Sequence, residues 1–257
     1  MFMKKEIILF LVFITNFINA QSINSDIAYY YNYSYHTDST NINKINTEDT
    51  VLLTNPKESL FCSYTKMKND STILSNIQKG NMVIDYSVLP KSKVNQSVYF
   101  DKEKGNITVY DKVINATFSF PVTKLEWQLG SNKKKIGEFD CQNAYCLING
   151  RKFEAWFTKS IPLSDGPYRF KGLPGLVIEV YDEKMLFHFL LNGLKKGNTK
   201  ADLPKNHIPT TKETFVNKRK EFLKDPAGVT KVYMGDRIKI DPQVVNNNFK
   251  NYNVFLD

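Results

Sequence analysis

Apolar and polar residues alternate at period two along most of the chain, which predicts strands. The first is the tyrosine-rich "DIAYYYNYSYH" at 26–36, and "ESLFCSYTKM" at 58–67 predicts another. "QSVYFDKEKGNITVYDKV" at 96–113 predicts a hairpin turning at Lys104, Gly105 and Asn106, and "ATFSFPV" at 116–122 and "KLEWQLG" at 124–130 predict two more strands. Between them "DSTILSNIQKG" at 70–80 switches to helical spacing. Ile73, Leu74 and Ile77 share a face, Asp70 or Ser71 is placed to cap the start, and Gly80 to end it. A second helix is expected from a Thr210–Glu213 capping box to Pro226, with Phe215, Phe222 and Leu223 on its apolar side. The remaining C-terminal residues predict a strand and then a tail.

The segment 134–162 predicts a long hairpin. Its turn is Asn149-Gly150, a dipeptide suited to the positive φ values of a type I′ turn. Cys141 and Cys146 lie five residues apart on its first arm, so a continuous strand sends them to opposite faces, about 16 Å apart. That excludes a bond between them. Cys62 remains free to pair with either, and three cysteines leave one odd thiol. The hairpin runs into "DGPYRFKGLPGLVIEVYDEK" at 165–184. Leu173-Pro174-Gly175-Leu176 matches a type II turn, with Pro174 pre-setting φ and Gly175 supplying the positive φ after it. A buried hairpin follows, Leu176–Tyr181 and then Met185–Leu191. A phosphate-binding loop does not fit, because no Lys-Ser/Thr follows and a strand stands where a helix should begin.

Residues 1–20 carry Lys4 and Lys5, an apolar run and the small residue Ala20, the layout of a secretory signal peptide. The run is too short for a membrane span. Gln21 follows rather than Cys, which argues against lipid anchoring. Removing the leader leaves 237 residues, enough for a single domain over 21–257. The formal charge of +9 is spread over dispersed lysines, with clusters only at Lys133–Lys135 and Lys218–Lys220. Export makes nucleic acid the least fitting partner of such a surface.

Catalytic chemistry finds little support. Of the three histidines, His188 sits mid-strand among aromatics and reads as a core residue, while His36 and His207 fall in loops. No zinc-ligand spacing exists, so no metal or cofactor is expected. Ser160 and Ser164 lack a nucleophile-elbow pattern.

The stretch around 136–182 closely resembles the GLPGLI family of exported Bacteroidetes proteins. The residues that carry the resemblance are Cys141, Gly150, Arg151, Trp156, Pro162, Gly166, Pro167, Phe170, Gly172, Leu173, Pro174, Gly175 and Leu176; Val177 departs conservatively from the isoleucine that ends the family name. The resemblance carries over no catalytic residue, the family having no assigned activity. Cys141 matches a cysteine usual in the family. Cys62 and Cys146 are then additions, which suggests a bond between these two, with three buried thiols as the competing state.

These observations together predict a mainly β fold: one antiparallel, curved or half-barrel-like sheet with one or two packed helices, α+β being the alternative. By fold-level analogy with periplasmic lipoprotein carriers, an apolar groove is expected, with Trp127, Trp156, Tyr168 and Phe170 as candidate lining. The reading is an exported cell-envelope binding or carrier protein, periplasmic or secreted, for a lipid-like or peptide ligand. An interaction partner of an outer-membrane transport system is the alternative, and a hydrolase the weaker one.

Overall fold

The computed structural model describes residues 22–80, 83, 85–235 and 241–257. The leader expected over 1–20 lies outside the described residues.

One open sheet of twelve strands organises the chain. In sequence order these are β1 Ser22–Tyr35, β2 Asn46–Thr54, β3 Glu58–Ser63, β4 Ser97–Asp101, β5 Asn106–Val113, β6 Ala116–Val122, β7 Gln128–Ile136, β8 Phe139–Ile148, β9 Arg151–Thr158, β10 Leu176–Asp182, β11 Phe187–Asp202 and β12 His207–Pro209. Their spatial order is β12-β6-β5-β4-β3-β2-β1-β11-β10-β9-β8-β7. All pairings are antiparallel except the short β12–β6 pair. Among the described residues four α-helices accompany the sheet: α1 Tyr64–Gln78, α2 Lys212–Lys224, α3 Pro226–Met234 and α4 Pro242–Phe249. The expected mainly β, antiparallel fold is therefore present.

Alternation sorts the side chains onto two faces. Tyr29, Tyr31, Tyr33 and Tyr35 of β1 point into the main core, together with Phe61, Phe120, Phe153 and Phe189 from other strands. Phe61 on β3 and Phe189 on β11 bring their ring centroids within 5.9 Å, although two strands separate them. In a flat sheet those backbones stand about 14 Å apart, so the sheet bends around this inner face. The outer face carries a smaller cluster of Ile23, Ala28, Val51, Leu53, Leu60 and Cys62, covered in part by Tyr64 and Met67 of α1. Ile23 and Ala28 share that face despite their odd spacing because the β1–β11 register shifts between Ser25 and Ile27, as a bulge does.

Several local expectations need correction. The helix expected at 70–80 starts earlier, at Tyr64, because the Ser63 side chain accepts from Lys66 N and caps it there; "ESLFCSYTKM" is thus half strand, half helix. In "KLEWQLG" only Gln128 onward is strand. α2 is capped by Thr211, one residue beyond the expected Thr210, and its stop at Pro226 is the first residue of α3, a favoured place for proline. The strand expected at the start of 235–257 falls on residues 236–240, outside the described residues, and the expected tail contains α4, capped by Asp241. At the Asn149-Gly150 turn both residues have positive φ, 53° and 75°, as the type I′ reading requires.

The turn at 173–176 is not type II. Gly175 N–H donates to Leu173 O at 2.8 Å, a three-residue turn about Pro174, and Leu176 N–H goes instead to Ile161 O at 3.1 Å. Glycine is required at 175 by close packing: a Cβ there would lie 2.0 Å from the Thr158 carbonyl oxygen. Strand β10 thereby leaves the turn tight against the end of β9.

Candidate functional site

The loop between β9 and β10 carries the distinctive motif, and it packs onto the inner face. Phe170 is fully buried and meets Phe153, Tyr168 and Phe189 at centroid distances of 5.1, 6.3 and 5.9 Å. Leu173, Leu176 and Val177 are buried beside it. The loop also takes three charged residues inside, Asp165, Arg169 and Lys171. Lys171 Nζ meets Asp165 Oδ1 at 2.5 Å, with side chains 1% and 0% exposed. Lys102 stands 3.6 Å from the other carboxylate oxygen and donates to Asn55 O at 2.7 Å. Burial pulls the Lys102 ammonium below its ordinary range, and Asp165 opposes that pull. Arg169 Nη1 pairs with Asp257 Oδ1 at 2.7 Å, and the Tyr168 hydroxyl donates to the same carboxylate. Burial raises the Asp257 carboxyl, but Arg169 and Lys212 outweigh it and leave the group below its ordinary range. On β9, Arg151 joins Asp182 at 2.9 Å, and Asp182 also accepts from Phe187 N. Each of these charges has an opposite charge beside it. The arrangement ties the loop, the sheet and the C-terminal segment together, and it presents no open reactive group.

The four aromatic groove candidates do not line one groove. Tyr168 and Phe170 are core residues at 1% and 0% exposure. Trp127 is half-buried and donates through Nε1 to Lys171 O at 2.8 Å. Trp156 pairs in register with Glu179 and Asn143, on the face opposite Ala155 and Phe157. There its Nε1 donates to the Tyr181 hydroxyl at 3.2 Å and the Lys134 ammonium sits 4.2 Å above its ring. The physical reason is alternation: even positions of β9 point outward while the loop residues point in. His188 shares that outer face. It is part-exposed, bonded to Glu179 at 2.9 Å, not a core histidine. The hydrogen bond from His188, helped by Lys134, holds the Glu179 carboxyl below its ordinary range.

Cys62, Cys141 and Cys146 are all buried free thiols. The bond expected between Cys62 and Cys146 is absent. Cys62 belongs to the outer cluster under α1 and Cys146 to the main core, six strands further along the sheet. Burial pushes the three thiols up to about 12, 11 and 12 in chain order, so they remain unreactive thiols near neutral pH. Among the described residues no cluster of His, Cys, Asp and Glu is arranged to hold a metal ion, and no helix is long and apolar enough to cross a membrane.

A different place on the inner face looks like a site. A cavity of about 210 Å³ lies between the ends of β1 and β5, helices α2 and α4, and the C-terminal segment. Tyr33 and Tyr35 form one wall, stacked at 4.8 Å. Phe222 and Phe249 form another, edge to face at 4.8 Å, and Tyr252 continues it. Two charges enter this aromatic surround. Asp111 of β5 is 6% exposed. Its Oδ2 accepts from Gln96 Nε2 at 3.0 Å and its Oδ1 from Lys112 N at 2.7 Å. Arg219 of α2 lies 4.0 Å over the Phe255 ring and donates to the Asp257 backbone oxygen. Among the described residues, neither Asp111 nor Arg219 has an oppositely charged side chain within ion-pair distance. Burial raises Asp111 to about 6, with its two hydrogen bonds and Arg219 pulling the other way.

Sequence reasoning missed this site. One signal was present: Ile107, Val109, Asp111 and Val113 share the inner side of β5, so a carboxylate falls in an apolar register. Arg219 gave no such signal, standing between two lysines on a helix whose charged face reads as solvated.

Comparisons with known proteins give a short family match and a likeness of fold. A family described as a protein of unknown function (Porph_ging) matches residues 148–179, the β9 hairpin arm and the buried loop. The solved structure of PNGF-II in space group P21 superimposes with a TM-score of 0.50 at 16% identity, over 79% of this chain and 34% of that one. A second PNGF-II structure, in space group C2, gives 0.49 at 16% identity, over 76% and 33%. The chain thus spans about a third of the PNGF-II chain, and the likeness is one of fold. No curated protein matches the sequence.

Proposed function

We propose that this chain is a non-catalytic binding or carrier protein of the cell envelope, exported by its leader and folded as one domain from residue 21, of the GLPGLI type that its motif resembles. It holds a small ligand in the cavity beside Asp111. The observation that carries this reading is the contrast within the core. The motif's charges are all matched, whereas the cavity keeps a buried acid and a guanidinium that, among the described residues, have no oppositely charged side chain within ion-pair distance, amid aromatic walls. Such a concave, mostly apolar space with a few convergent polar groups is the usual form of a ligand site. Its size falls between the ~150 Å³ cavity that accommodates benzene and the roughly 300–1,000 Å³ of drug-sized sites. A single small molecule therefore fits better than the lipid-like or peptide ligand expected from analogy.

The test is native mass spectrometry on protein isolated from the envelope and never denatured. A bound small molecule is expected in the wild type. It should be lost from Leu223→Trp, which fills the cavity from α2, at an unchanged fold by circular dichroism. Apo mass alone in the wild type, together with no effect of Leu223→Trp on any binding, sinks the carrier reading.

A further inference from the structure

The cavity presents an acid and a guanidinium that feel each other's charge but, among the described residues, stand beyond ion-pair distance of one another and of any other oppositely charged side chain. Leaving either charge desolvated and unmatched is costly. A purely apolar occupant would add to that cost. A simple cation would be matched by Asp111 but repelled by Arg219, and a simple anion the reverse. The same cavity is lined by aromatic side chains that can take a flat or branched apolar body, among them the Phe222–Phe249 edge-to-face pair.

We infer, resting on the carrier reading above, that the ligand is a zwitterion the size of one apolar amino acid, its ammonium at Asp111, its carboxylate at Arg219 and its side chain against Phe222, Phe249 and Tyr252. Arg219 is suited to the carboxylate end, since its guanidinium presents a planar fork of donors and, among the described residues, one N–H is committed, to Asp257. Tyr33 and Tyr252 add hydroxyls to the walls. The volume of about 210 Å³ admits one such molecule.

The assignment also fixes a pH dependence. An ammonium is held by ionised Asp111, which in the empty protein titrates at about 6 because it is buried. The groups facing it are Arg219 from α2, Tyr33 from β1, Tyr168 from the buried loop, and Tyr252 and Asp257 from the C-terminal segment, with Lys93 also at the cavity. Burial drives the three tyrosines up, and Asp257 is held low. Asp111 is therefore the member of this set that changes charge between pH 5 and 7.5. Affinity should rise with pH through that window and level off above it, and binding should release a proton below it.

Isothermal titration on the full mature chain tests this with four probes: L-phenylalanine, 3-phenylpropionate, 2-phenylethylamine and toluene. L-phenylalanine is expected to bind at least tenfold tighter at pH 7.5 than either singly charged probe, and up to about tenfold more weakly at pH 5 than at pH 7.5. Asp111→Asn should remove the pH dependence and most of the preference over 3-phenylpropionate. Arg219→Gln should keep the pH dependence and lose the preference over 2-phenylethylamine. The probe series on the wild type stands whether or not the variants fold. Singly charged probes equal to L-phenylalanine overturn the zwitterion. So does binding of toluene without binding of L-phenylalanine, a result that leaves the carrier reading intact. No binding of any probe, with an empty native protein, removes both.

Discussion

At one end of the inner face Asp165 is buried against Lys171 and Lys102; at the other Asp111 is buried against a side-chain amide and a backbone N–H. Both carboxylates are nearly inaccessible, at 0% and 6% exposure. Their settings differ in kind. A buried charge with a well-placed opposite charge becomes a fixed strut, costly to break from one side. A buried charge without one shifts its titration and keeps an unmet demand for a cation. The first sits in the most distinctive motif of the chain, the second in an unremarkable strand. The motif contributes no residue to the lining of the cavity.

Three experiments sharpen that contrast. The largest effect is expected at the matched end. Lys171→Met keeps the length of the side chain but strands Asp165 with only the more distant Lys102. Unfolding in urea should show a loss of about 3–5 kcal/mol. A loss under about 1 kcal/mol would mean that the pair is no strut and that the two ends are alike.

At the unmatched end the effect has a pH signature. The folded-state carboxyl of Asp111 is raised from its ordinary 3.8 to about 6, so the native state binds more protons than the unfolded chain between those values. Stability contributed by this group is full below pH about 4 and is lost as pH rises to about 6. A two-unit shift corresponds to roughly 3 kcal/mol. Asp111→Asn should not show this decline, and its advantage over the wild type should grow across the same window. Parallel urea midpoints from pH 4 to pH 7 would show that Asp111 is not raised, and would remove the contrast.

The smallest effect tests the turn that delivers β10. Pro174→Ala leaves the tight approach at Gly175 intact and mainly frees the unfolded chain, so a loss of about 0.4–1 kcal/mol is expected. A shift in melting temperature as large as that of Lys171→Met would show that the proline ring itself braces the buried loop.

Period-two patterning made most strands legible, and the Asn149-Gly150 turn was legible to the residue because positive φ has few suitable residues. α1 and α2 were visible as helices but misplaced at their starts, since capping at Ser63 and Thr211 depends on which hydroxyl meets an N–H. β2, β12, α3 and α4 were missed: "NTEDTVLLT" shows little alternation because its last five residues are all buried, β12 is a three-residue strand that starts at His207, read as a loop residue, and both helices are short pieces started by proline after aspartate. Cys141 and Cys146 were legible as opposite-facing, because alternation is a local property of one strand. Whether Cys62 meets Cys146 was not, because it depends on the strand order β3-β2-β1-β11-β10-β9-β8 and on which side of the sheet α1 covers.

By itself the sequence determined what local stereochemistry and short-range pattern control: the class of fold, the hairpins and the Asn149-Gly150 turn; the need for glycine at 175 came from its packing on Thr158. Only the tertiary structure decided which faces meet. Tyr33, Asp111, Arg219 and Tyr252 come from β1, β5, α2 and the C-terminal segment, more than 200 residues from first to last, and share one cavity because the bent sheet, α2 and the C-terminal segment converge there. No local pattern encodes that convergence. It follows from long-range packing, where each side chain's partner is set by the path of the whole chain.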